Sequence, residues 1–241
     1  MPKGQGGQPV ELLGLTFPNR LGLAAGLDKN GVAISAFDRS GLGFIEIGTV
    51  TPRPQPGNDR PRLYRLPEHQ AIINRMGFNN DGIDALIARV TATPRPRAIL
   101  GINLGKNKNT PNEQALDDYL TGIQKAWAHA DYLAINISSP NTAGLRDLQH
   151  GAALRTLLTG IKSEQERLAA STQKHVPIVV KIAPDLDDDA LNELLDTIAV
   201  CGIDGIIATN TTLSRDAVQG LANATESGGL SGRPVFEASN R

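Results

Sequence analysis

The chain is poor in the residues that build metal and disulfide sites. It holds one cysteine, Cys201, so no internal disulfide can form, which suits a reducing compartment. Four scattered histidines and no cysteine pair give no donor set for a structural zinc ion, and no metal is expected. A net charge of −1 favours neither nucleic acid nor an anionic membrane as principal partner. No apolar stretch reaches the roughly 18 residues of a membrane span. The opening "MPKGQGGQPVE" lacks the apolar core of a signal peptide and reads as a flexible Gly-rich lead-in. Neither serine of "INISSPNTAGLR" has the Gly-x-Ser-x-Gly surroundings of a hydrolase nucleophile. Internal repeats of about 20–50 residues are also missing.

What is present is a rhythm. Short apolar runs at 21–28, 43–50, 98–105, 132–138, 176–184 and 204–210 read as strands. Most are apolar on both faces, as in a buried parallel sheet. Helical patterns lie between them, at about 31–40, 79–92, 113–129, 151–171 and 187–201, the last with Asp185 or Asp187 as its cap. This is a βαβ series. One segment breaks it: residues 51–78 form a long Pro- and Arg-rich insertion, in which "PRLYRL" and "AIINR" are expected to pair as a hairpin. A closed (β/α)8 barrel needs eight strands, and six are found. The polar ending "SGRPVFEASNR" offers no closing strand. The expected fold is α/β, a (β/α)8 TIM barrel truncated at its C-terminal end.

The polar residues gather at one end of the strands. Asp28-Lys29-Asn30, Gly48-Thr49, Asn103, Asn136 with Ser138-Ser139-Pro140-Asn141, Lys181, and Thr209-Asn210-Thr211-Thr212 all fall there. In a parallel barrel those ends share one face, where active sites are built. Lys181, inside "IVVKIAP", places a charge in an apolar strand, which is costly unless it meets a partner or a polar ligand. Three chemistries suit it: a Schiff base, a phosphate contact, or a cofactor whose reduced form is anionic. The amides of Asn103 and Asn136 favour the third, since an amide both donates and accepts, as a flat heterocycle with alternating N–H and C=O groups requires.

The motifs "FPNRLGLAAGLDKNG", "IEIGTVTPRPQPGNDRPRLYR", "INRMGFNN", "GINLGKNK", "INISSPNTAGLR", "VKIAPDL", "GIIATNTT" and "GGLSGRP" run in order from about residue 10 to 235. Together they resemble dihydroorotate dehydrogenase, and within it the quinone-dependent class 2. Class 1 members use a cysteine as base where this chain has Ser139. The resemblance implies an FMN enzyme that oxidises dihydroorotate to orotate in de novo pyrimidine synthesis and reduces a quinone. It implies that Ser139 is the catalytic base. Ala25, Gly26, Leu27, Asp28 and Lys29 would line the flavin, and Thr49, Asn103, Asn136, Lys181, Thr209 and Gly232 would hold it. Lys29 would also reach the substrate, with Asn74, Arg75, Met76, Gly77 and Phe78, and with Asn136, Asn141, Asn210 and Thr211. Thr142 or Thr212 could carry the proton onward.

Class 2 members also carry an N-terminal helical extension that docks on the membrane. Its docking implies a peripheral location, on the cytoplasmic face of the cell membrane in a bacterium or at the inner mitochondrial membrane in a eukaryote. Residues 1–241 then correspond to one catalytic domain of about six βα units, without that extension and the last two strands. The described activity would belong to the complete protein. Two alternatives stand beside this reading: a Schiff-base aldolase using Lys181, and a non-catalytic barrel that binds a flavin or pyrimidine.

Overall fold

The structure, a computed structural model, describes residues 7–240. A small antiparallel hairpin comes first, β1 (Val10–Leu12) and β2 (Leu15–Phe17). The tail of the expected lead-in is therefore ordered strand from Val10 onward, while residues 1–6 lie outside the described part. Then come β3 (Gly22–Leu23), α1 (Ile34–Arg39) and β4 (Phe44–Val50). The insertion carries β5 (Leu63–Leu66) and β6 (Ala71–Asn74), followed by α2 (Ile83–Ala92). The regular alternation resumes with β7 (Ile99–Leu104), α3 (Ala115–Ala126), β8 (Tyr132–Asn136) and α4 (Gly151–Thr172). Last are β9 (Ile178–Ile182), α5 (Asp188–Val200), β10 (Gly205–Ala208), β11 (Gly229–Gly232) and α6 (Phe236–Ser239).

Six of these strands form one parallel sheet in the order β10-β9-β8-β7-β4-β3. Each βα unit adds a strand beside the previous one, which gives an open arc of a barrel. The period of two along a strand divides its faces. Ile45, Ile47, Leu100, Ile102, Leu133, Ile135, Ile178 and Val180 enter the main core, shared with helix residues such as Ile83, Tyr119, Ile123 and Leu158. The alternate positions include Tyr132, Ala134 and Val179, which form a separate small core plugged by Leu13 and Leu15 of the first hairpin. Further along the same face, toward the strands' C-terminal ends, stand Asn103, Asn136 and Lys181.

Helix α5 starts as expected. The Asp187 carboxylate accepts the Ala190 backbone N–H at 2.8 Å and caps it. The expected first strand is a correction: only Gly22–Leu23 is extended. The backbone turns at Gly26, where φ is +116°. The following loop is held to β4 by Gly26 N–H donating to Gly48 O and Gly48 N–H donating to Asp28 O.

The insertion hairpin forms, with Tyr64 opposite Ile73. β11, which runs into the polar ending at Ser231, is a third strand of this side sheet, with Leu230 opposite Ile73, and does not join the parallel sheet. Leu66, Ala71, Ile73, Val218, Ala224 and Leu230 make a second small core beneath this sheet. Among the described residues, no helix is long and apolar enough to cross a membrane.

Candidate active site

A cavity of about 720 Å³ opens at the C-terminal ends of the parallel strands. Its size falls within the range of small-molecule sites. The strands supply Thr49, Asn136 and Lys181, and the loop after β10 supplies Thr209, Asn210 and Thr211. One wall is the loop with Ala25, Gly26, Leu27 and Lys29. Another is the hairpin and the segment after it, with Asn74, Met76, Gly77 and Phe78. Gly232 closes the rim at the end of β11, and Ser139 and Asn141 enter from the loop after β8.

Three residues expected at the site stand off the cavity wall. Asp28 is buried, and its carboxylate accepts the backbone N–H groups of Val32 and Ala33 at 2.9 and 2.8 Å, which fixes the turn leading into α1. Arg75 pairs with Glu226 at 2.6 Å and lies 4.8 Å over the Tyr64 ring. It joins the hairpin to the loop before β11. Asn103 is fully buried beneath Thr49 and Asn136.

Beneath the cavity lies a polar network. Thr49 Oγ1 donates to Asn103 Oδ1 at 2.5 Å, and Asn136 Nδ2 donates to Thr49 Oγ1 at 2.9 Å and to Asn103 Oδ1 at 3.3 Å. Asn210 Nδ2 donates to Asn136 Oδ1 at 3.2 Å and to Ser138 Oγ at 3.0 Å. Below Asn103 sits Glu46, 3% exposed, which the sequence reading passed over. Its Oε1 accepts from Asn103 Nδ2 at 2.9 Å and its Oε2 from the Tyr132 hydroxyl at 2.8 Å. Gly101 makes room for that phenol, since a Cβ there would come within 2.2 Å of the Tyr132 ring. Burial pushes the Tyr132 hydroxyl pKa well up, and the Glu46 charge and hydrogen bond add to it, so the group stays protonated and donates.

Lys181 is 8% exposed and lines the cavity, and among the described residues its ammonium makes no hydrogen bond or ion pair. A buried cation without a protein partner is costly unless a polar ligand meets it. Lys29 donates to Gly26 O. Its pKa is lowered, first by burial and then by the nearby Arg62 charge. A like charge this near Lys29 is offset when an anion meets the lysine.

The two serines after β8 part company. Ser138 is fully buried, and its hydroxyl is tied to Asn136 and Asn210. Ser139 faces the cavity, and its Oγ accepts the Asn141 backbone N–H at 3.2 Å. Arg146 holds this loop: its Nε donates to Ser138 O at 3.0 Å, one terminal nitrogen pairs with Asp185 at 2.6 Å, and the other donates to Thr211 O at 2.8 Å. Thr212 is committed to Asp185, whereas the buried Thr142 hydroxyl has no partner.

The arrangement offers a hydroxyl facing the cavity, an unpaired ammonium, and amides along one wall. That set can grip a flat ring of carbonyls and N–H groups and take up a proton. The dihydroorotate dehydrogenase profile matches residues 9–240.

The chain belongs to the dihydroorotate dehydrogenase family.

It is 64% identical to the dihydroorotate dehydrogenase (quinone) of Dichelobacter nodosus, covering 100% of this chain and 72% of that one. With the dihydroorotate dehydrogenase (quinone) of Saccharophagus degradans it shares 58% identity, covering 96% of this chain and 68% of the relative. The ligand-free DHODH crystal structure from Eimeria tenella superposes with a TM-score of 0.90 at 42% identity, covering 99% of this chain and 71% of that one. The ferulenol complex from the same organism gives 0.86 at 40% identity, covering 96% and 70%. The six-stranded arc is thus the portion of the family's TIM barrel that this chain contains.

Besides Glu46, which lies beneath the cavity, the sequence reading missed its apolar lining, including Leu63, Ile72 and Phe236, all exposed. Their signal was faint, since a single exposed apolar residue is ordinary. Glu46 was legible: an acid inside the apolar strand "FIEIGTV" is as anomalous as a lysine inside "IVVKIAP".

Proposed function

We propose that the chain forms a single FMN-binding catalytic domain that oxidises (S)-dihydroorotate to orotate in pyrimidine (UMP) biosynthesis, with a quinone as electron acceptor. The observation that carries the reading is the meeting of the Ser139 hydroxyl and the unpaired Lys181 ammonium in one cavity lined by asparagines. The residues present fit FMN. The orphan ammonium supplies a charge partner, and Gly26 leaves open space where a Cβ would stand. Thr49, Asn136, Lys181 and Thr209 would hold the ring, the loop from Ala25 to Lys29 would lie along it, and Gly232 would meet it at the rim. Asp28 and Asn103 would support these contacts from behind.

FMN, when bound, supplies the two-electron acceptor for the oxidation. The chain's own residues do the rest. Lys29 is assigned to the substrate carboxylate, since an ammonium beside a second cation suits an anion. Asn74, Asn136, Asn141 and Asn210 match the ring amides, with Thr211 and the Met76–Phe78 turn beside them. Arg75 acts from outside, by holding the hairpin against the neighbouring loop. Ser139 takes the proton from C5. A serine hydroxyl is a weak base, so the proton must pass onward, and Thr142 is the better relay because its hydroxyl is uncommitted while Thr212 is bound to Asp185.

A peripheral membrane location of the complete protein belongs to the same reading, on the cytoplasmic face of the cell membrane in a bacterium or at the inner mitochondrial membrane in a eukaryote. The Schiff-base alternative is not favoured, because the matched relatives are named dihydroorotate dehydrogenase (quinone) over 100% and 96% of the chain. The test is anaerobic: dihydroorotate should bleach the visible flavin band of the FMN-loaded protein, and a short-chain quinone should restore it. An unbleached flavin, or a borohydride-trapped adduct on Lys181, would sink the reading.

A further inference from the structure

We infer that Glu46 is a positioning residue that anchors the acceptor end of the amide run beneath the cavity. The inference rests on the proposed reaction for its ligand but on the geometry for its logic. An asparagine amide is nearly symmetric in shape, so its direction is fixed by its neighbours. At the donor end of this network the backbone N–H groups of Ser138 and Thr211 can only donate, to Asn136 Oδ1 at 3.3 Å and Asn210 Oδ1 at 2.8 Å. At the other end stands Glu46, and an ionised carboxylate only accepts.

Its Oε1 demands the Asn103 Nδ2 group. That demand turns Asn103 Oδ1 toward Thr49 and Asn136, which both donate to it. Asn136 therefore presents its Nδ2 downward and its Oδ1 toward Asn210 Nδ2. Asn210 Oδ1 is left to accept the Thr211 backbone N–H at 2.8 Å. The bonds run in one direction, from Thr211 through Asn210, Asn136 and Asn103 to Glu46. Thr49, Asn136 and Asn210 all line the cavity, so a buried acid that touches no ligand completes the run that holds these side chains for a ligand. Tyr132 satisfies the second oxygen and stands outside this run.

The experiment measures orotate affinity by perturbation of the flavin spectrum, with no turnover involved, alongside KM and kcat. Glu46→Leu removes the acceptor and should weaken orotate binding at least about tenfold, as expected when a buried donor loses its partner. Glu46→Gln can still accept from Asn103 while its amide N–H faces the Tyr132 oxygen, so it keeps the direction and loses the charge. It should stay within about threefold of wild type in affinity. Tyr132→Phe, which leaves the Asn103 bond intact, should do the same.

If Glu46→Leu fails to fold, Asn103→Asp asks the same question without opening a cavity. It places an acceptor where the donor stood, and it too should weaken orotate binding about tenfold. Wild-type affinity in Glu46→Leu or Asn103→Asp overturns the inference. Equal damage from Glu46→Gln and Glu46→Leu overturns it as well, since the charge would then matter rather than the acceptor offered to Asn103. Wild-type protein that neither binds orotate nor oxidises dihydroorotate would instead overturn the proposed reaction, a distinguishable failure.

Discussion

Asn136 of β8 and Lys181 of β9 are register partners on neighbouring strands, and both line the same cavity. The amide is bonded on both sides, whereas the ammonium has no partner among the described residues. The pairing puts a fixed dipole beside an unspent charge.

If FMN binds as proposed, Lys181→Met should therefore lower the flavin reduction potential, because the ammonium would stabilise negative charge gained on reduction. A fall of about 30 mV or more is expected, equivalent to tenfold in a two-electron equilibrium. Potentiometric titration against a reference dye measures it. An unchanged potential would return Lys181 to a purely structural role.

Ser139→Ala should leave flavin binding intact and slow reduction by dihydroorotate about 10²–10⁴-fold, the usual worth of a positioned base. Re-oxidation by quinone should hardly change, since no C5 proton is involved. Stopped-flow measurement separates the two halves. Ser138→Ala, which cuts bonds to Asn136 and Asn210 beneath the surface, should weaken orotate binding more than it slows the proton step. The reverse pattern would mean that the neighbouring serine is the base.

Thr142→Val preserves shape and removes the one hydroxyl in this loop that lacks a partner. It should slow the same step by about tenfold or more, less than loss of the base itself. A solvent isotope effect that vanishes in the variant would place Thr142 on the proton's route. Unaltered kinetics would remove it.

The Lys29 pKa lies below the ordinary lysine range, because burial and the Arg62 charge both disfavour its protonated form. Binding of an anionic substrate requires that form. KM for dihydroorotate should accordingly climb as pH rises through this lowered pKa, at lower pH than an ordinary lysine would cause. Lys29→Met should raise KM at neutral pH and flatten the alkaline limb. Arg62→Gln should move the limb upward in pH, since one of the two depressing influences is gone.

Much of this site was visible in the chain. Lys181, Asn136 and Ser139 announced themselves as polar residues at the ends of apolar strands, and the parallel sheet brings such ends together. What stayed hidden has physical causes. β11 reads "GLSG", with one apolar side chain, and becomes a strand only because β6, far away in sequence, offers it an open edge. The first strand looked long because "LGLAAGL" is apolar throughout, yet its backbone leaves the extended region at Gly26. Arg75 lies next to a cavity-lining residue in sequence but spends its charge on Glu226, and sequence adjacency cannot reveal which way a long side chain turns.

Arg146 grips the carbonyl before Ser139, the carboxylate of Asp185 and the carbonyl of Thr211 with one planar group. Three loops from three strands are pinned at a single rigid fork. Ser139 and the Asn210–Thr211 pair thus share a mechanical mount, and neither can swing aside without breaking bonds made by the other. The rest of the lining lies outside that mount, in the Gly26 loop, the hairpin and the segment 231–239.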